Sequence, residues 1–383
     1  MLSQASSDTL AVIREAAQSL TGAANDYDPL MELIGDARVV LLGQASYGTH
    51  EFYAARARIT RRLIEEKGFT AVAVGMDSTD AFPINRYVRG AGDDRNALAA
   101  LDGFMRFPTW TWRNAAVLDF VTWLRDYNEG LEGEPPVGFY GLDYYNIHAS
   151  NEAARGRMTE EEWSFAEEDP LLTRHAERSY SLMFGGQASS WSVRNRHLTE
   201  MLVELAGHLE GSVGRGKVVF WAHNAHVGDA RATQVGDRGD CSVGQLVREQ
   251  FGREAVLIGL TTYSGTVRAA SEWDHAPEQK LVVPADPTSY EALFHEIGQP
   301  RFLLSLREGT PAAEALRAPR LERAIGLIYP RDPELLHHYI TARLSDQFDA
   351  VVHLDQTTAV HPLEGDPGYE AEAMITNLAP ACA

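Results

Sequence analysis

Residues 39–52 read VVLLGQASYGTHEF, and this stretch decides the fold. The four apolar residues that open it are typical of a buried strand, and at Gly43 the chain changes to small and polar residues. A helix is predicted to follow, with Thr49 as its cap and Glu51 in its first turn, where a carboxylate suits the positive end of the helix dipole. One face of that helix should pack on the sheet through apolar residues at helical spacing: Phe52, Ala55, Ile59 and Leu63.

The polar turn between this strand and this helix lies at the carboxyl end of the strand. In open α/β sheets, ligands bind at that edge. We therefore expect the side chains of Gln44, Tyr47 and His50 to lie where chemistry takes place. Glu51 lies beside them, but for this carboxylate we favour the capping role over an acid–base role.

Further strands and helices follow along the chain. Buried strands are predicted at 69–74, 137–141, 217–221, 255–261, 302–306, 321–329 and 350–354, with a hairpin arm at 265–270. Helices are predicted at 7–20, 28–34, 83–89, 114–127, 188–210, 243–251 and 290–297. This alternation predicts an α/β fold with a mainly parallel sheet flanked by helices, in which the strand ends at Gly43 and Gly75 are neighbours.

Residues 151–215 differ from the rest because they are charged and helical in pattern and contain no clear strand. We interpret them as a helical cap inserted into an α/β core formed by residues 1–150 and 216–383. No repeat or linker divides the chain, so we predict a single catalytic unit.

The formal net charge of −20 over 383 residues argues against nucleic acid or an anionic membrane as a partner. The two cysteines, Cys241 and Cys382, form neither a metal motif nor a disulfide framework, so we expect a cytoplasmic protein. The pattern predicts no signal peptide and no membrane-spanning segment.

His223 and His226 follow a predicted strand, with Asp229 close behind. Two imidazoles at the carboxyl end of a strand favour paired acid–base or hydrogen-bonding groups over ordinary loop histidines. Two histidines and a carboxylate can also hold zinc or iron. The spacing within a loop defines no coordination geometry and no third strong ligand is evident, so we predict no metal.

Arg56 falls on the face of its helix that meets the sheet. A buried arginine must be paired or must bind an anion, and the sequence supports a structural ion pair and an oxyanion clamp equally. Asp77 follows the second strand and is either a site carboxylate or the cap of the next helix.

Several aromatic side chains are candidates for lining an apolar pocket that binds a large ligand. For any single tryptophan among them, packing in the core explains its presence at least as well. The chain contains no G-x-S-x-G elbow, P-loop or dinucleotide fingerprint. The aromatic candidates are Trp110, Trp112, Tyr145 and Trp191.

Motifs across nearly the whole chain resemble the erythromycin esterase family. They are residues 41–74, YGLDYYN at 140–146, SSWSVRNRHLTEML at 189–202, FWAHNAHVGDARAT at 220–233, GTVRAASEW at 265–273, PRLERAIGLIY at 319–329 and FDAVVHLDQTTAV at 348–360. The resemblance implies a parallel α/β core, a helical cap and an active-site cleft between them. It also implies macrolide-lactone hydrolysis without a required metal.

Three positions depart from the family's pattern. The opening motif usually has Glu and His where this chain has Gln44 and Tyr47, and that His is the family's proposed general base. A further Glu is replaced by Gly75. The matching residues that remain are Arg56, Asp77, His223 and His226.

These replacements change the chemistry that the site can perform. Gln44 cannot ionise, and Tyr47 is a poor base at neutral pH because the phenol has an unperturbed pKa of about 10. Tyr47 can instead donate a hydrogen bond or act as an acid, while Gly75 leaves room where a carboxylate would stand. The sequence therefore favours a non-hydrolytic acid–base enzyme that acts on a natural-product scaffold, expected to be a polyketide, and catalyses cyclisation, elimination or rearrangement.

In this hypothesis His223 or His226 is the base, and Arg56 and Gln44 hold an oxygen on which negative charge develops. A second hypothesis is an ester or lactone hydrolase that activates water with His50 or the histidine pair, and a third is a non-catalytic metabolite-binding protein. The expected partner is a small-molecule substrate of large size and partly apolar character. We expect no cofactor, and the oligomeric state is left open.

Overall fold

The computed structural model describes residues 7–104, 107–143, 189–214, 216–330 and 338–363. The strands are β1 Gln18–Ser19, β2 Val39–Leu42, β3 Ala71–Asp77, β4 Gly138–Asp143, β5 Val218–Trp221, β6 Ala255–Thr261, β7 Ser264–Ala269, β8 Glu278–Val282, β9 Arg301–Ser305, β10 Arg320–Arg323, β11 Tyr339–Ala342, β12 Ala350–Leu354 and β13 Gln356–Thr357. The helices are α1 Ser7–Ala16, α2 Asp28–Ile34, α3 His50–Lys67, α4 Ser78–Val88, α5 Ala97–Ala100, α6 Ala115–Glu129, α7 Ser190–Val213, α8 Asn224–Val227, α9 Gln234–Asp237, α10 Val243–Phe251, α11 Tyr290–Glu296, α12 Pro311–Ala315 and α13 Leu344–Gln347.

The main sheet has the strand order β1-β9-β12-β6-β2-β5-β3-β4. The strands from β12 to β4 run parallel to one another, whereas β9 pairs antiparallel with both β12 and β1. The mainly parallel α/β fold expected from the sequence is therefore confirmed.

Helices cover both faces of the sheet, which explains why its central strands are apolar throughout. Val40 and Leu42 belong to the core that includes α3 and α6, whereas Val39 and Leu41 belong to the core that includes α7 and α10. All four side chains are fully buried. Burial on both faces therefore accounts for the continuous apolar run in the sequence.

One prediction about the sheet is wrong. The strand ends at Gly43 and Gly75 were expected to be neighbours, but β5 lies between β2 and β3 and pairs with both. The order of strands along the chain does not reveal that a later strand returns to the middle of the sheet. As a result, the turn after β5, which carries His223, lies between the two strand ends.

The start of α3 also differs in detail from expectation. Thr49 occupies the cap position, but its hydroxyl bonds the hydroxyl of Ser46 and makes no capping hydrogen bond. Glu51 accepts hydrogen bonds from the backbone N–H of Thr358 at 2.7 Å and from its hydroxyl at 2.9 Å. At the other end, Gly68 adopts φ 69° as the predicted C-cap.

The predicted strand at 321–329 is shorter than expected and lies outside the main sheet. β10 ends at Arg323 and forms a separate two-stranded sheet with β11. Beyond it, Ile325 donates its N–H to the carbonyl of Ala45 at 2.7 Å. The apolar residues of this segment therefore brace the turn after β2 and do not extend a strand.

Only the last part of the predicted helical cap falls within the described residues, as α7. The rest of that segment, together with Tyr145, lies outside them. None of the helices that the structure describes is long and apolar enough to cross a membrane.

Candidate active site

A small pocket lies at the carboxyl ends of β2, β5 and β3, beneath the first turns of α7. It encloses about 20 Å³, which is room for one or two water-sized atoms. Its position agrees with the rule that ligands bind at this edge of an α/β sheet. The lining residues are Gln44, Tyr47, Arg56, Gly75, Trp112, Arg194, Leu198, Trp221, Ala222 and His226.

A larger open groove of about 430 Å³ runs along α5 and α6, lined in part by Leu98, Trp123, Asp119 and Asp126. Within the described parts of the chain, its lining contains no histidine or arginine. We therefore take the smaller pocket as the candidate active site, because it alone of the two combines acid, base and cationic groups.

Arg56 is the most unusual side chain of this pocket. It is 1% exposed, and no carboxylate among the described residues pairs with it. Its Nε and Nη2 atoms are buried without a hydrogen-bond partner, while its guanidinium lies 4.4 Å from the ring centre of Tyr53 and 4.9 Å from that of Trp221. Burial lowers the pKa of Arg56 to about 10, so it remains cationic at neutral pH.

Of the two roles that the sequence supports for Arg56, a structural ion pair has no partner in the described parts of the chain. The cation instead lies over the aromatic rings of Tyr53 and Trp221, which attract it but do not neutralise it. The arrangement therefore favours an arginine that acts on a ligand.

Gln44 lines the pocket together with Arg56. Its backbone carbonyl accepts the N–H of Asn224 at 2.8 Å, which ties the turn after β2 to the turn after β5. Its Oε1 is buried without a hydrogen-bond partner. Tyr53 on α3 donates its hydroxyl to the carbonyl of Tyr47 at 2.8 Å, so α3 also holds the polar turn in place.

His226 presents one ring nitrogen to a partner and leaves the other available. Its Nδ1 lies 2.7 Å from Oδ1 of Asn195, and Asn195 is oriented by donating its Nδ2 to the carbonyl of Trp191 at 2.9 Å. An amide oxygen only accepts, so Nδ1 carries the proton and Nε2 carries the lone pair. The ring of Trp191 stacks on His226 with centres 4.2 Å apart.

The surroundings of His226 keep it neutral. Burial lowers its pKa well below the usual value, and the positive charge of Arg194 adds to this effect. Because its partner is an amide and not a carboxylate, nothing compensates the charge of an imidazolium. His226 is thus a neutral acceptor or base that lines the pocket.

His223 is held differently and does not line the pocket. Its Nδ1 accepts the N–H of Ala225 at 3.2 Å and so caps α8. The proton of the neutral ring therefore lies on Nε2, near the carbonyls of Ala45 and Ile325, and burial lowers its pKa to about 4. Between the two histidines that the sequence left as alternative bases, the geometry favours His226.

Tyr47 lines the pocket with its ring stacked on His223, at 5.1 Å between centres. Burial is the main cause that raises its pKa, and the nearby cations Arg194 and Arg56 oppose the rise. The phenol is therefore neutral at pH 7 and serves as a donor, as its chemistry suggested.

The sequence-based reasoning missed Arg194 and Asn195, which reach the site from α7. Arg194 donates its Nε to Oδ2 of Asp143 at 2.8 Å, and this ion pair links α7 to the end of β4. The available signal was the motif at 189–202, whose polar residues occur at one-turn spacing after Trp191.

Three other predicted residues lie elsewhere than in the pocket lining. The ring of His50 packs edge-on against His361 with centres 5.8 Å apart. Asp77 caps α4 by accepting the N–H of Thr79 at 3.1 Å. Trp110 is 1% exposed and packs in the core, whereas Trp112 does line the pocket.

The carboxyl groups of Glu291 and Glu322 are fully buried, and no sequence pattern pointed to them. Glu322 is linked to the turn after β5 through Asn224. Asn224 donates its Nδ2 to Leu260 at 2.9 Å and to Oε1 of Glu322 at 3.4 Å. Burial and the neighbouring Glu291 raise the pKa of Glu322 to about 8. Glu322 is therefore largely protonated at neutral pH. Across the described ranges, no group of His, Cys, Asp and Glu could hold a metal ion.

Comparison with known proteins agrees with the resemblance in sequence. The family model for erythromycin esterase matches residues 64–160 and 147–357. Erythromycin esterase type II of Escherichia coli is 21% identical over 321 residues, covering 64% of this chain and 74% of the relative.

Solved structures share the fold. A Bacillus cereus protein superposes with a TM-score of 0.73 at 20% identity, covering 93% of this chain and 99% of its own. A succinoglycan biosynthesis protein gives 0.70 at 20% identity, covering 92% and 98%. A mutant of the erythromycin esterase EreC in its open conformation gives 0.57 at 16% identity, covering 88% and 94%.

Proposed function

Because this chain belongs to the erythromycin esterase family, we propose that it acts on a carbonyl-bearing natural-product scaffold of the polyketide type. The proposed reaction is a non-hydrolytic proton transfer that leads to cyclisation, elimination or rearrangement. The erythromycin esterases that it resembles are named for a polyketide lactone, which supports this substrate class.

One observation carries the proposal. The pocket joins the unpaired cation of Arg56 to the neutral base His226, and none of its described lining residues is a carboxylate. A cation beside a neutral base suits removal of a proton next to a carbonyl, because the negative charge then develops on an oxygen that the cation stabilises.

Each group has one role in the proposed step. Nε2 of His226 takes a proton from the carbon next to the substrate carbonyl, and the electron pair of the broken C–H bond moves onto the carbonyl oxygen beside Arg56, which gives an enolate. The hydroxyl of Tyr47 donates a hydrogen bond to the same oxygen. The imidazolium then returns its proton to another atom of the substrate, or to a departing hydroxyl that leaves as water.

Hydrolysis fits this site less well. Activation of water requires a group that accepts its proton strongly, and the neutral, hydrogen-bonding Tyr47 stands where the family has its proposed base. The low pKa of His226 also weakens it as a base toward water, whereas a carbon between two carbonyls, as in a β-keto compound, gives up its proton more readily than water does.

Ester hydrolysis remains a second candidate because one feature favours it. The pocket beside His226 has room for one or two water-sized atoms. A water molecule held there would lie next to His226, whose Nε2 carries a lone pair that can accept a proton.

Isotope labelling separates the two reactions. Purified protein is incubated with erythromycin and with β-keto lactones in H₂¹⁸O and, separately, in D₂O, and the products are analysed by mass spectrometry. The proposal predicts deuterium at carbon or a product formed without ¹⁸O, whereas an ¹⁸O-labelled carboxylate as the only product contradicts it.

The role of His226 is tested by His226→Gln, which should abolish turnover. His208→Gln is the matched control, because His208 is exposed on α7, the helix that supplies Asn195. Ligand binding by wild type without turnover, unchanged in both variants, would instead identify a non-catalytic binding protein.

Restoration of the replaced side chains tests why hydrolysis is disfavoured. A Cβ at Gly75 would lie 3.8 Å from Cβ of Ala222 and 3.9 Å from the carbonyl of Trp221, so a side chain there begins at ordinary contact distance. We expect Gln44→Glu, Tyr47→His and Gly75→Glu together to create or raise lactone hydrolysis. If wild type already hydrolyses erythromycin as fast as the triple variant, the three replacements are not the cause.

A further inference from the structure

The charge of the pocket is opposite to that of the protein. The chain carries a formal net charge of −20, yet the lining residues that the structure describes include two arginines and no carboxylate. Arg194 is neutralised by Asp143, so the charge of Arg56 is left over. The other titratable groups that line the pocket, Tyr47 and His226, are neutral.

The unpartnered atoms of Arg56 define the shape of the missing partner. Nε and Nη2 are the two nitrogens on one edge of the guanidinium, and their N–H groups point the same way. This edge forms the fork that binds both oxygens of a carboxylate or one oxygen shared between two donors. Both atoms are buried without a hydrogen-bond partner.

The side chains around Arg56 do not neutralise its positive charge. Its neighbours Tyr53 and Trp221 offer ring faces, which attract a cation, and Nε and Nη2 still have no hydrogen-bond partner beside them. A charge that is taken out of water and left unpaired is costly, and an anion at the fork would offset that cost.

We infer that the pocket binds an anionic oxygen, so that the natural substrate carries a carboxylate or an acidic enol beside its reacting carbonyl and is not a neutral lactone. The two donors of the Arg56 edge would then hold the anionic oxygen and the carbonyl oxygen together. This inference rests on the proposed function in taking the pocket as the active site. It narrows the substrate to compounds that bring a negative oxygen to Arg56, and the size of the pocket restricts entry to a small terminal group.

The smallest carboxylate provides a direct probe. Formate and formamide have nearly the same size but differ in charge. Binding is measured at constant ionic strength through the ¹⁵N–H signal of the Arg56 side chain and through the thermal midpoint. We expect formate to bind wild type at least tenfold more tightly than formamide does.

Two variants of α3 test whether formate binds at Arg56. Arg56→Met should remove formate binding, whereas Arg62→Met, which removes an arginine already paired with Asp28 and Glu66 on the same helix, should retain it. Equal affinity for formate and formamide, or formate binding that survives Arg56→Met, would overturn the inference.

The outcome is independent of the proton transfer itself. His226→Gln should still bind formate, because it leaves the guanidinium in place. Formate binding without turnover of any lactone would support the anion site while the proposed reaction fails, and turnover of neutral lactones that is unaffected by Arg56→Met would do the opposite.

Discussion

Replacement of Arg56 by methionine should make the protein more stable. Burial lowers the pKa of Arg56 from 12.5 to about 10. At about 1.4 kcal/mol per pKa unit, the folded protein bears a cost of about 3 kcal/mol for holding this charge at neutral pH. Two cation–π contacts, with Tyr53 and Trp221, return about 0.5–1 kcal/mol each.

Methionine is a suitable replacement because it is long, unbranched and apolar, and its sulfur packs well against aromatic rings. The difference between the cost and the returned contacts predicts that Arg56→Met raises the free energy of unfolding by about 1–2 kcal/mol. Urea unfolding at pH 7, followed by circular dichroism, measures this change.

The control is Arg62→Met on the same helix. Arg62 lies near the surface and is paired with Asp28 and Glu66, so its loss should lower the free energy of unfolding by at most about 1 kcal/mol. The two variants should therefore change stability in opposite directions. Destabilisation of Arg56→Met by more than about 1 kcal/mol would show that Arg56 is paired in the native protein and would refute the reasoning.

Three further variants test the surroundings of the site. The native state keeps a proton on Glu322 up to about pH 8, whereas the unfolded chain loses it near pH 4.5. The free energy of unfolding should therefore fall by several kcal/mol as pH rises between these values. Urea unfolding of Glu322→Gln at several pH values should show that this fall is gone. Asn195→Asp places a carboxylate on Nδ1 of His226 and should raise its pKa by about one to three units in an NMR titration. Glu51→Gln weakens the hydrogen bonds to Thr358 and should lower the free energy of unfolding by about 1 kcal/mol, with formate affinity unchanged.

Local elements could be predicted from the sequence because their signals are local. The strand at 255–261 and the helices at 28–34 and 243–251 have the bounds that apolar spacing and flanking residues predicted. The position of β5 between β2 and β3 could not be predicted, since each buried strand shows the same continuous apolar run. Nothing in such a run specifies which neighbour it pairs with.

The site could be predicted in part for the same reason. Tyr47 and His226 follow strand ends, and parallel strands bring their carboxyl ends to one edge. Arg194 and Asn195 come from a helix far along the chain, so the sequence shows their motif, but only the fold shows that they reach this site. The tautomer of His226 is likewise outside the reach of sequence, because it depends on the orientation of one amide.

Some polar groups of the site have hydrogen-bond partners within the protein, whereas others have none. Asn195 holds the outer nitrogen of His226, and Asp143 holds Arg194, but Oε1 of Gln44 and the edge of Arg56 have no partner. Most buried polar atoms in proteins are paired, so unpaired atoms that gather at one pocket mark a cost that a ligand would offset.

The protonation states of these groups lead to one last consequence. His226 is neutral above its lowered pKa, and Arg56 is cationic up to about pH 10. The proposed reaction needs both states together, so its rate should be level across neutral pH and fall only at the two extremes. The same unpaired charge that lowers the stability of the fold would thus keep the site ready for an anionic oxygen over the whole range in which the protein works.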